Sequence, residues 1–142
     1  MKPSFGSPVL DATIRILTPF LLLFAAYVAI HGHTSPGGGF QAGAILGAGL
    51  ILIRLVRGHD AGWGLSRRAA LNLACSGALV YAFVGLLSLA FGHAAFDYSA
   101  LPLPVVGGTR RALGSLAVEL AVLVTVTGVM VLIFESLTHA EE

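Results

Sequence analysis

Four long apolar runs, Ile14 to Ile30, Phe40 to Val56, Ala69 to Phe91 and Ala112 to Phe134, leave this chain few ways to fold. A helix needs about 20 apolar residues to cross a hydrocarbon core about 30 Å thick, and helices are the simplest way to satisfy every backbone N–H and C=O there. The intervals between the runs are short, and only 11% of the 142 residues are charged, with a mean hydropathy of +0.90. Soluble chains carry roughly 25% charged residues. The expectation is an all-α integral membrane protein: one domain over 1–142, a bundle of four transmembrane helices at roughly 12–31, 39–57, 69–92 and 112–136, with no room for a soluble catalytic module.

Basic residues set the expected orientation, because Lys and Arg are retained on the cytoplasmic side during insertion. With four crossings, Lys2, Arg15, Arg54, Arg57, Arg67 and Arg68 fall on one side and only Arg110 and Arg111 on the other. Both termini are therefore expected in the cytoplasm. The formal net charge of +1 and the absence of an aromatic-interleaved basic patch give no sign of nucleic-acid binding. The first run is read as a retained helix and not a cleaved leader, being longer than a usual leader core and carrying Pro19 within it. Pro19 has no N–H for the carbonyl of Arg15, so a kink is expected there. Asp11 and Arg15, four apart, are placed to pair.

Nothing in the chain reads as an enzyme. The single cysteine, Cys75, cannot form an internal disulfide, and His31 and His33, two apart, do not share a helix face that could hold a metal. Gly37, Gly38 and Gly39 lack the Lys-Ser/Thr ending of a phosphate loop. No cofactor is expected.

Two features carry functional weight. The first is Glu119, in the fourth run, with Ser115 one turn before it and Thr125 and Thr127 beyond. A carboxylate at such depth costs about 2.5–3.5 kcal/mol on insertion scales, outweighed by the surrounding Leu, Val, Ile and Phe. It is expected to face protein or a hydrated cavity, either as a proton-handling group or as a satisfied polar anchor, shielded by Arg110 or Arg111 or hydrogen-bonded to a neighbouring helix. His33 is the second titratable candidate, at the outer mouth of such a path, with a polar turn residue as the alternative reading. Gln41 is expected to bond across helices.

The second feature is the stretch Gly32 to Gly49. Pro36 and the three glycines that follow force a tight turn, after which Gly39, Gly43 and Gly47 recur every fourth residue and form a small-residue stripe. Such a stripe serves close packing within the chain or docking of another one. A four-helix chain that also offers Gly77 and Gly85 has little interior for all of these, so the stripe is assigned to partners.

Gly32-His33-Thr34-Ser35-Pro36-Gly37-Gly38-Gly39-Phe40-Gln41-Ala42-Gly43 resembles the G-H-N-x-P-G-G-G-F-x-x-G signature of the MrpB/MnhB family, the B-type component of multisubunit Na+/H+ antiporters. Phe91-Gly92, Leu101-Pro102, Gly107-x-Thr109 and an acid in the fourth helix extend the resemblance over essentially the whole chain. Thr34 stands where the family usually has Asn, Arg110 where an acid often follows, and Glu119 where Asp is common. The resemblance implies a small subunit in the bacterial plasma membrane, accompanied by subunits of A, C, D, E, F and G type, in a complex that moves Na+ and H+. The turn and stripe give subunit or helix packing roles to Pro36, Gly37, Gly38, Gly39, Phe40, Gly43 and Gly47. The alternatives are the B-type module of a related ion-translocating membrane hydrogenase, or a purely structural subunit with no ion site.

Overall fold

A computed structural model describes residues 8–32, 38–58, 65–102, 104, 105 and 107–139. Four long helices account for most of them: α1 (Pro8–His31), α2 (Gly38–Arg57), α3 (Arg67–Ala90) and α4 (Gly108–His139), with a 3₁₀ turn at Tyr98–Ala100 before α4. All four are long and apolar enough to cross a membrane. Ser66 starts α3 by accepting the Ala69 N–H at 3.3 Å. Just beyond its last turn Gly92 adopts φ +77°, a left-handed conformation that favours glycine. α1 is continuous through Pro19, and the neighbouring Thr18 hydroxyl donates to the Ile14 carbonyl at 2.7 Å. α4 starts earlier and ends later than its apolar run. Its 32 residues rise about 48 Å, more than the hydrocarbon thickness, so it tilts or projects from the bilayer.

The helices do not close into a bundle. The extensive contacts are α1 with α2, α2 with α4, and α4 with α3, with a minor one between α1 and α4. The molecule is a layer in the order α1–α2–α4–α3, and α4 is its central member although it is last in sequence. The reason lies in α4's own small and polar positions. Residues 119, 123, 126 and 130, one face by their three- and four-residue spacing, meet α2, whereas 121, 125 and 128, about 200° round the axis, meet α3. Such a layer has little interior, and only 17–39% of each span's apolar window is buried within the chain. Lipid or other subunits must cover the remainder.

Glycines seat the two faces of α4, which corrects the assignment of the stripe to partners. A Cβ at Gly39 would run into the backbone carbonyl of Glu119, and one at Gly43 would stand 2.7 Å from the Leu123 carbonyl oxygen. Gly47 lies over the side chain of Met130. On the other face, a Cβ at Gly77 would meet the Thr125 hydroxyl, and one at Gly128 would come within 2.7 Å of the Ala70 carbonyl oxygen. Gly85 receives the ring of Phe96 from the α3–α4 connection. Close backbone approach also lets the Thr127 hydroxyl reach the Gly43 carbonyl at 3.1 Å, while it remains 2.8 Å from that of Leu123. Phe40 and Gln41 are exposed. Gln41 makes no hydrogen bond among the described residues, so the expected link across helices is absent there.

Candidate functional site: two acids on the central helix

Glu119 lies where α1 ends and α2 begins, about 16 Å along α4 from Gly108. Its backbone carbonyl meets Gly39, and its side chain enters the gap left by Gly32, where a Cβ would be 2.7 Å from Oε2. Gly32 and Gly38 themselves touch, since a Cβ on Gly38 would collide with the Gly32 Cα. Thus the glycines that bracket the Gly-rich turn and the acid of the fourth helix, far apart in sequence, belong to one site. Any side chain at 32 or 39 would evict the carboxyl or push α2 off α4. His33, Pro36 and Gly37 lie outside the described residues.

Oε2 of Glu119 is buried and has no hydrogen-bond partner among the described residues. An oxygen left in that state loses its hydration without replacement, at a cost of about 1–3 kcal/mol or more for a charged group. The expected shielding by the arginines at the start of α4 does not occur. Arg110 turns back to the loop, donating to the Val105 carbonyl at 3.0 Å and the Ser99 carbonyl at 3.2 Å, and Arg111 is exposed.

The connection above this site is firmly built. Ser88 is fully buried, and its hydroxyl lies 3.2 Å from the Val84 carbonyl and 3.3 Å from that of Asp97. The Asp97 carboxylate accepts from the Ser99 hydroxyl at 2.5 Å and the Ser99 N–H at 3.0 Å. Those bonds, with His93 at 3.3 Å, hold Asp97 below its ordinary 3.8. Because the folded pKa is depressed, this support is present above 3.8 and disappears as pH falls through the folded value. Acid titration followed by the near-ultraviolet signal of tyrosine should show this step, and Asp97→Asn should remove it. Tyr98 packs against Gly114, and burial, reinforced by Tyr81 and Glu119, raises its phenol above 10.0. It is therefore a neutral group at physiological pH.

The second acid, Glu135, went unrecognised in the sequence because it sits at the edge of its apolar run. It is 1% exposed and accepts from Arg54 Nε at 2.6 Å, while Arg54 Nη2 donates to the Leu65 carbonyl at 3.1 Å. Arg54, counted in the sequence among the basic residues that set orientation, is itself buried. This pair pins α2 to α4 at the end opposite Glu119. At the same end Asp11 accepts from Arg57 at 3.0 Å and lies 3.8 Å from Arg15, the pairing its spacing suggested. The described residues hold no group of three His, Cys, Asp or Glu suited to a metal ion.

Four spanning helices, with one acid of the central helix ion-paired and the other holding a buried oxygen that has no partner among the described residues, define a multi-pass membrane protein. Residues 9–132 match the family model for a domain related to the MnhB subunit of Na+/H+ antiporter, and the chain belongs to that family. It is 26% identical over 135 residues to the B-type subunit of the Na+/H+ antiporter of Bacillus subtilis (strain 168), covering 94% of each chain. It is also similar to putative antiporter subunits mnhB2 of Staphylococcus haemolyticus (strain JCSC1435), 32% over 134 residues, and Staphylococcus aureus (strain MRSA252), 30% over 132 residues. Those matches cover 92% of this chain and 93% of each relative. No solved structure matches.

Proposed function

We propose that this chain serves as the B-type subunit of a multisubunit Na+/H+ antiporter in the bacterial plasma membrane, and that Glu119 handles the proton or cation within it. One observation carries the assignment of the residue: of two acids on α4, Glu135 is neutralised by Arg54 at 2.6 Å, whereas Oε2 of Glu119 is buried and unpartnered among the described residues. A proton, a cation or a group from a neighbouring subunit would remove that deficit, and a proton or cation can be exchanged. The Gly32 and Gly39 gaps hold the carboxyl at the end of α1 and α2. Glycine packing brings the α2 and α4 backbones together below it, which favours a path completed laterally by other subunits over one running down this seam. His33 remains a candidate for the mouth of that path.

Glu119→Gln tests the role. Assembly should survive, since the amide has the same shape, while Na+/H+ exchange by the complex in vesicles should fall to the level of vesicles lacking it. Unchanged exchange with intact assembly would make Glu119 a structural anchor. The chains that copurify with the tagged subunit in mild detergent separate an antiporter from the hydrogenase-type alternative, whose companions would carry iron–sulfur ligands.

A further inference from the structure

A crevice of about 330 Å³ opens between α1 and α2 at the end where α1 begins, beneath Arg15 and Arg57 and walled by Ile14, Pro19, Leu22 and Ile53. It continues along the same groove between the helices, past Thr18 and Leu22, into a narrower apolar cleft that reaches Gly49. A side chain on Gly49 would meet only Leu21, at 3.7 Å. The groove is thus cationic at its mouth and hydrocarbon along its depth.

Among the described residues the charges at the mouth do not balance. Two guanidinium groups share one carboxylate: Arg57 uses Nε on Asp11, and Arg15 reaches Asp11 only at 3.8 Å, with a side chain 75% exposed. The terminal nitrogens of Arg57 have no partner among the described residues, and Arg15 has none besides Asp11. A guanidinium near the end of a spanning helix extends to the headgroup level, and basic pockets between helices at that level bind anionic headgroups. An opposing protein carboxylate would satisfy the mouth and leave the groove below empty. A diacyl anion satisfies both.

We propose that this crevice binds an anionic phospholipid, its phosphodiester between Arg15 and Arg57 and one acyl chain in the α1–α2 groove. The site involves no residue placed in ion handling and stands apart from the role of Glu119.

The test uses the whole complex, purified in mild detergent, equilibrated with phosphatidylglycerol or phosphatidylcholine and examined by native mass spectrometry for retained lipid. The wild type should retain phosphatidylglycerol in preference. Arg15→Gln, at an exposed position that leaves the Arg57–Asp11 pair in place, should weaken retention at this site about fivefold, the effect of one interfacial charge. Arg15→Lys should restore most of it. Leu22→Trp, which fills the groove and keeps both arginines, should also release the lipid. Equal retention of the two lipids by the wild type, or unchanged retention in both Arg15→Gln and Leu22→Trp, overturns the proposal. So does Leu22→Trp retaining phosphatidylglycerol as wild type does, since the anion alone would then be the ligand. A crosslink showing a neighbouring subunit's carboxylate seated on Arg15 would likewise overturn it.

Discussion

Replacing Glu135 by alanine is expected to destabilise the chain by about 3–5 kcal/mol, the usual cost of leaving one partner of a buried ion pair uncompensated. Arg54 would remain, 9% exposed, between α2 and α4 without the carboxylate that its Nε meets. Glu135→Gln should cost less, because an amide still accepts from Nε, and Arg54→Ala should resemble Glu135→Ala. The informative variant is the double one. Arg54→Met with Glu135→Leu removes both desolvation penalties and should recover much of the loss, as buried pairs replaced by apolar side chains of similar volume commonly do. Denaturation of the full chain in mixed detergent micelles, run as a double-mutant cycle, measures the coupling. Additive losses would mean that Arg54 and Glu135 act independently and that their 2.6 Å contact contributes little.

That pair also marks the limit of what the chain reveals on its own. The four spans were legible because apolar length alone specifies them, and the pairing of Asp11 with Arg15 followed from their spacing. Lateral order was not legible. Every helix here is apolar around most of its circumference, so hydrophobic periodicity scarcely distinguishes the α2 face of α4 from its α3 face, and loop shortness favours sequential neighbours. The decisive signal was steric. Gly39, Gly43 and Gly47 are flat enough to receive Glu119, Leu123, Val126 and Met130, and that match appears only when two helices are set side by side. Glu135 was hidden for a different reason. At the margin of an apolar run an acid reads as the solvated end of a helix, and its partner is 81 residues away. Glu119, by contrast, stood out by depth alone, but its slot between Gly32 and Gly39 did not.

A graded response along α2 is the second large expected effect. Gly39→Leu should be the most damaging change among the α2 glycines that face α4, exceeding the usual overpacking cost of about 1–3 kcal/mol, because the obstacle is the backbone of Glu119 and no rotamer change can relieve it. Gly39→Ala should already displace α2, and with it the carboxyl slot. Gly43→Ala follows, its Cβ 2.7 Å from the Leu123 carbonyl oxygen, with further strain on the bond from Thr127 to the Gly43 carbonyl. Gly47→Ala should be milder, since the atoms it meets at 3.0 Å include the flexible Met130 side chain. Gly49→Ala, off the α4 face, should be tolerated and even slightly stabilising through helix propensity. The order 39, 43, 47, 49 can be read from the recovery of each variant in the assembled complex and from its detergent denaturation. A stripe that served only to dock another chain would give a different pattern: normal stability of this one, with assembly lost alone. The close approach of α2 to α4 requires both to fall together, in that order.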